Sequence, residues 1–172
     1  MKFNTKVIHG GQQHDPSTGA VMPPIYHTST FAQKSPGVHT GYEYSRADNP
    51  TRTALEHALE SIENGARGLA FSSGLAAIDC VLRLLKPNDE VIAMDDLYGG
   101  TYRLFTKFYQ DLGIKFHFID ISDVELFQSK INDKTKLVWI ETPTNPLMKL
   151  ADIGAIAKIT KQNNILFAVD NT

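Results

Sequence analysis

Between residues 67 and 169 the chain changes period repeatedly, and this alternation limits the fold more than any other feature. Short apolar runs alternate with stretches whose apolar residues recur at helical spacing. Strands are expected at Arg67–Phe71, Glu90–Met94, Lys115–Ile119, Lys136–Ile140 and Ile165–Val169. Helices are expected at Gly74–Leu85, Thr101–Leu112, Val124–Ile131 and Ile153–Gln162. Strands that alternate with helices form βαβ units and a largely parallel sheet. The expected architecture is α/β, a three-layer αβα arrangement around a mostly parallel sheet.

The stretch before residue 49 lacks strong periodicity. Gly10-Gly11, Pro16, Gly19, Pro23-Pro24, Pro36-Gly37 and Gly41 interrupt it. A compact domain seldom carries so long an irregular segment without a use for it. Its apolar and aromatic residues, Ile25, Tyr26, Phe31, Tyr42 and Tyr44, favour an arm docked on a partner over a disordered tail. Asn49-Pro50 then opens a helix, with Asn49 as N-cap, Pro50 in the first turn and Gly65 as the expected C-cap. The expected division is residues 1–60 for arm and first helix and 61–172 for the sheet domain.

In an open parallel sheet, ligands lie beyond the carboxyl ends of the strands. The residues there are Ser72-Ser73-Gly74, Asp95 to Gly100, Asp120, Glu141 to Pro146, and Asp170-Asn171-Thr172. Ser73-Gly74-Leu75 stands at a strand-to-helix turn. The first amides of a helix have no partner within it, and its dipole favours an anion. Gly74 lets an anion approach the backbone closely. The turn therefore reads as a phosphate cradle, or more plainly as a serine-capped turn. Asp95, Asp96 and Asp120 read as helix caps and turn formers.

A phosphate cradle, the stacking ring of Tyr98 and the strand-end carboxylate of Asp170 together suit a flat, phosphorylated heteroaromatic cofactor. Pyridoxal phosphate meets that description. Asp170 could hold a proton on its ring nitrogen, and Asn145 could donate to its ring oxygen. A dinucleotide is disfavoured, since no Gly-x-Gly-x-x-Gly follows a strand and no Walker A sequence is present. The histidines, His9, His14, His27, His39, His57 and His117, are scattered without metal-ligand spacing or a nucleophile partner. No metal site is expected. The formal charge of −2, from 17 basic and 19 acidic side chains with no basic run, argues against nucleic acid or a membrane surface as partner. The apolar runs are strand-length, too short to span a bilayer. The one cysteine, Cys80, excludes an internal disulfide and reads as a small buried hydrophobe. A reducing, cytoplasmic location fits.

From about Thr5 to Thr172 the chain resembles the γ-subfamily of fold-type-I pyridoxal-phosphate enzymes, the cystathionine γ-lyase, γ-synthase and β-lyase group. The motifs that carry the resemblance are Ile8-His9-Gly10-Gly11, Pro23-Pro24-Ile25-Tyr26, Tyr42-Glu43-Tyr44-Ser45-Arg46, Asn49-Pro50-Thr51-Arg52, Ser72 to Ala77, Asp96 to Thr101, Glu141 to Pro146 and Val169 to Thr172. The resemblance implies that the amides of Gly74 and Leu75 hold the cofactor phosphate. It implies that Tyr44 and Arg46 reach that phosphate from a neighbouring subunit, so that the protein is a homo-oligomer, usually a tetramer made as a dimer of dimers. Tyr98 would stack on the ring and, like Tyr44, take part in catalysis. Asp170 and Asn145 would pair with the ring nitrogen and oxygen. Arg46, Tyr98 and Arg103 would orient a small amino-acid substrate. Without the resemblance, Arg46 reads as a surface charge.

Two features of the family do not occur in these residues. The lysine that holds the cofactor covalently lies in a later Ser-x-Thr-Lys segment, and the arginine that grips the substrate carboxylate lies later still. The chain is therefore expected to be part of a longer polypeptide and inactive alone, with the sheet domain incomplete. The Asp95 to Thr101 and Trp139 to Pro143 stretches look most like cystathionine γ-lyase, with the γ-synthases and β-lyases close. Methionine γ-lyases typically place a cysteine where this chain has Gly100, which disfavours that activity. The non-enzyme alternative is a binding module or pseudoenzyme that keeps the fold without the lysine.

Overall fold

A computed structural model describes residues 1–172. The chain groups into two compact units, Met1–Ser72 and Ser73–Thr172.

The first unit holds two helices, α1 (Phe3–His9) and α2 (Pro50–Glu63), joined by a long irregular segment. Helix α1 lies in a stretch whose glycines and prolines gave no helical signal. Asn49 caps α2 as expected, its side chain accepting from the Thr51 amide at 2.9 Å. The left-handed residue that ends α2 is Asn64, at φ 51°, not Gly65. Asparagine tolerates that conformation because its short polar side chain bonds locally. Gly11 presses against α2: at φ +71° a Cβ there would sit 2.1 Å from the His57 carbonyl oxygen, so only glycine fits.

The segment 67–71 is irregular rather than a strand. Its apolar residues are exposed, Leu69 by 58% and Phe71 by 44%, and no neighbouring strand pairs with it. The Ala70 amide donates to the Glu56 side chain instead. A strand is defined by its ladder, and β-propensity alone does not make one.

The second unit is a four-stranded parallel sheet with helices. In chain order it runs α3 (Gly74–Leu82), β1 (Glu90–Met94), α4 (Gly99–Leu104), β2 (Lys115–Ile119), α5 (Val124–Ser129), β3 (Thr135–Glu141), α6 (Ile153–Gln162) and β4 (Leu166–Asp170). A single π-helical turn, Phe105–Tyr109, continues α4. The strand order is β2-β1-β3-β4, all parallel. The chain thus moves one way from β1 to β2 and the other way afterwards. Right-handed crossovers then put α4 on one face and α5 and α6 on the other. The packing of α3 on α4 and of α5 on α6 agrees. The core lies on both faces of β1 and β3, where Val91 to Met94 and Leu137 to Ile140 are buried along with Phe105, Phe127 and Ile156. Cys80, expected to be buried, is exposed. The neighbouring residues Ile78 and Leu82 fill the buried face of α3 in its place.

The change of direction falls between β1 and β3. Their diverging connections open a crevice at the carboxyl end of the sheet, where open α/β folds place a ligand.

Candidate functional site

A crevice of about 620 Å³ opens at that point. Ser73, Gly74 and Leu75 line it from the start of α3, Tyr98 from the β1 connection, Glu141, Pro143, Thr144 and Asn145 from the end of β3 and beyond, and Asp170 from the end of β4. Six residues from four separate stretches of sequence thus meet as expected: Ser73, Gly74, Leu75, Tyr98, Asn145 and Asp170.

Each is positioned by its local structure. Ser73 caps α3, its hydroxyl oxygen accepting from the Ala76 amide at 3.1 Å. The Gly74 and Leu75 amides, at the first positions of the helix, have no acceptor within it. A Cβ on Gly74 would point into open space, the space an anion would fill to reach those amides. Tyr98 stands at the N-cap of α4 with its side chain about half exposed and making no cap bond. A Cβ on Gly100 would come within 2.4 Å of the Tyr98 ring, so the absence of a side chain at Gly100 lets the ring lie there. The Asp170 carboxylate accepts from the Thr172 amide at 3.1 Å and from the Thr172 hydroxyl at 2.6 Å. These bonds hold the chain just beyond β4 against the carboxylate.

Asn145 sits on the loop after β3, which a buried aspartate ties down. Asp96 accepts from the Thr144 hydroxyl and, at 2.9 Å, from the Leu147 amide. Lys149, at the far end of the same loop, contacts Asp95 and Asp120 at 3.0 Å. The bonds from Ser122 and then Lys149 hold the Asp120 carboxyl below its usual range. The three aspartates expected to be caps and turn formers therefore divide. Asp120 does hold a turn, through the Ser122 amide, while Asp95 and Asp96 anchor the 142–150 loop.

Sequence reasoning gave no role to Glu141. It ends β3, directly opposite Asp170 in the parallel register, and is 5% exposed. Burial pushes its carboxyl upward, and the nearby Asp170 charge adds to the rise, while the Tyr98 and Asn145 amides oppose it. A carboxylate in the first position of a Glu-x-Pro-x-Asn-Pro loop was visible in the sequence. Its bond across 43 residues to Tyr98 was not.

Arg103 is not among the crevice-lining residues; its guanidinium lies beside Gly99, one turn along α4. Tyr44 and Arg46 belong to the first unit and pair with each other, the guanidinium 5.0 Å from the centre of the Tyr44 ring. No helix is long and apolar enough to cross a membrane.

The crevice brings together free helix-start amides, a half-exposed aromatic ring, a side-chain amide and a carboxylate. This donor set fits a flat ring with a phosphate at one end and a basic nitrogen at the other. It does not fit a dinucleotide, whose second phosphate and ribose have no partner among these residues.

Known proteins are similar to this chain in sequence and in fold. The chain is 51% identical to a cystathionine β-lyase from Coxiella burnetii, over 99% of this chain and 44% of that protein. It is 51% identical to a probable cystathionine γ-synthase from Herpetosiphon aurantiacus, over 99% of this chain and 53% of that one. Its fold superposes with a TM-score of 0.95 and 44% identity on a cystathionine γ-lyase from Lactobacillus plantarum solved with L-serine, covering 100% of this chain and 45% of that one. The chain thus spans about half the length of the relatives it matches. The model of the Cys/Met metabolism PLP-dependent enzymes matches residues 4–172, and the chain belongs to that family.

Proposed function

We propose that this chain is the cofactor-binding part of a cystathionine γ-lyase, which converts cystathionine to cysteine, 2-oxobutanoate and ammonia. The observation that carries the cofactor part of this reading is the convergence of Gly74, Leu75, Tyr98, Asn145 and Asp170 on one crevice. Bound pyridoxal phosphate supplies an electron sink for the carbanion formed beside the substrate's amino group. The protein's residues do the rest. The Gly74 and Leu75 amides bind the phosphate, aided by the dipole of the nine-residue α3. Asp170 holds the ring nitrogen's proton, since an adjacent carboxylate favours the charged form of its partner. Asn145 donates to the ring oxygen. Tyr98 packs against the ring face and moves a proton at its hydroxyl.

Tyr44 and Arg46 complete the phosphate site from a neighbouring subunit of a homotetramer, where the guanidinium fork matches a phosphate as lysine cannot. Arg103 assists in orienting the substrate. A cytoplasmic setting accords with a single free cysteine. The γ-lyase activity is preferred over the synthase on the Asp95 to Thr101 stretch. Gly100, on which the Tyr98 ring rests, distinguishes that stretch from methionine-cleaving relatives.

The test is an assay of the full-length holoenzyme with cystathionine alone, against activated homoserine plus cysteine. Release of 2-oxobutanoate and cysteine from cystathionine is expected. Cystathionine formation as the dominant reaction assigns the synthase, and homocysteine with pyruvate assigns the β-lyase. Asp170→Ala is expected to lower turnover by roughly a thousandfold with the fold retained, as loss of a group that stabilises developing charge does. Near-normal turnover in that variant shows that Asp170 is not the partner of the ring nitrogen.

A further inference from the structure

Tyr98 presents a difficulty that the crevice alone does not resolve. Its ring is about half exposed, and its side chain makes no bond to the helix it begins. Its main-chain carbonyl accepts from the Tyr102 amide at 3.0 Å as α4 begins. Its main-chain amide is held from elsewhere. The Tyr98 amide donates to Glu141 Oε2 at 2.8 Å. Tyr98 stands at the cap position of α4, where its side chain makes no cap bond, and a carboxylate from β3 receives its main-chain amide.

Glu141 is well placed to act as an anchor. It is the last residue of β3, flanked in register by β4, with Ile140 fully buried before it. Its position is therefore set by the sheet, the most rigid part of the unit. Burying a carboxylate is costly unless it is bonded, and the Tyr98 main-chain amide bonds this one. The amides of both Tyr98 and Asn145 counter the effect of burial on its charge. The one bond that crosses to the Tyr98 loop is the 2.8 Å contact from the Tyr98 amide.

We infer that Glu141 is a positioning residue that fixes the Tyr98 main chain, and through it the ring, over the cofactor crevice. The inference rests on the reading of that crevice as a pyridoxal phosphate site. In this role Glu141 transfers no proton. Its contribution is an acceptor oxygen at a set place, so charge matters less than geometry. Replacing it by glutamine keeps an oxygen there, whereas leucine fills similar volume without one. Removal of the acceptor leaves the Tyr98 amide unpaired, and the ring then samples orientations that do not stack.

The experiment reconstitutes the full-length apoprotein with pyridoxal phosphate and measures affinity and the visible circular dichroism of the bound cofactor. Glu141→Leu is expected to weaken affinity about tenfold and to diminish the dichroism, while Glu141→Gln stays within about threefold of wild type. Because Glu141 acts through Tyr98, the double variant Glu141→Leu/Tyr98→Ala binds no worse than Tyr98→Ala alone, within about twofold. If the leucine variant does not fold, Glu141→Asp replaces it. Its carboxylate falls one methylene short of the Tyr98 amide, and the same losses and non-additivity are expected. Additive losses overturn the inference, as does a leucine or aspartate variant with wild-type affinity and dichroism. A wild-type protein that takes up no cofactor overturns the reading of the crevice, and this inference with it. Normal wild-type uptake, weakened by Tyr98→Ala but not by the Glu141 variants, overturns the inference alone.

Discussion

The two units keep their order by different means. In Ser73–Thr172 every strand of the sheet centre is buried, and eighteen apolar side chains from Ile78 to Ile165 make one core. In Met1–Ser72 neither helix buries a residue, and no apolar side chain is buried. That unit holds its shape with polar and backbone contacts. Ser17, Thr18 and Tyr26 all donate to Asp15, the Arg46 guanidinium lies over the Tyr44 ring, and Gly11 presses on α2. Meanwhile Ile25 is 77% exposed and Met22 73%. Hydrophobic burial is the chief source of folding free energy, so the second unit can supply its own stability and the first cannot.

The largest expected effect separates the units directly. Phe105 is fully buried, stacks on Phe116 at 4.6 Å and meets Trp139 edge-on at 5.8 Å. Phe105→Ala should cost about 3–5 kcal/mol of unfolding free energy, the range for an aromatic deleted from a core. Leu59, on α2 and 42% exposed, should cost less than about 1 kcal/mol when changed to alanine. Denaturant titration of both variants checks this. Equal losses would mean that the first unit has a core of its own.

The same contrast decides what could be read from sequence. Strands β1 and β2 and helix α6 were legible to the residue, because each packs its own apolar pattern against the core of the unit. Arg67–Phe71 carries a strand's residue types, yet a ladder requires a partner and none pairs with it. Residues of the site that sit at strand ends, Tyr98, Asn145 and Asp170, were legible because the parallel sheet fixes where strand ends meet. Glu141 and Asp96 stand at strand ends as well, but their work is done by hydrogen bonds from main-chain amides 43 and 51 residues away and, for Asp96, from the Thr144 hydroxyl too. No local pattern encodes such a bond. Cys80 was misplaced by one helical step, because Ile78 and Leu82 claim the buried face of α3.

A smaller effect lies in two tyrosines. Tyr109, in the π-helical turn, is pushed up to about 12, first by burial and then by its bond to Asp79 at 2.6 Å. Tyr26 is raised too, but there the bond to Asp15 is the largest cause, and burial comes second. An unfolded tyrosine loses its proton near pH 10. Between pH 10 and about 12 the unfolded chain has therefore released the Tyr109 proton while the folded unit retains it. Stability must fall as pH rises across that window, by linkage. Thermal unfolding of the second unit should show the decline, and Tyr109→Phe should flatten it. Tyr26→Phe should leave the alkaline slope of the second unit unchanged. A slope that persists in Tyr109→Phe would assign the alkaline loss to another group.

The smallest effect uses two matched helix caps. Asn49 accepts from Thr51 at the start of α2, and Asp152 accepts from Ala155 at the start of α6, both at 2.9 Å. Removing either oxygen should cost its helix about 1 kcal/mol. The lesions are chemically alike, but their settings differ. Helix α6 buries Ile156 and Thr160 in the second unit, so its cap loss is shared with the whole core. Helix α2 buries nothing, so its loss stays local. Asp152→Ala should therefore lower the unfolding midpoint and raise exchange of core amides such as those of Val91 and Val138 together, about fivefold. Asn49→Ala should raise exchange within α2 by a similar factor and leave the core amides of the second unit unmoved. Should Asn49→Ala also raise exchange at Val91 and Val138, α2 opens together with the sheet, and the division between a self-supporting unit and a dependent one fails.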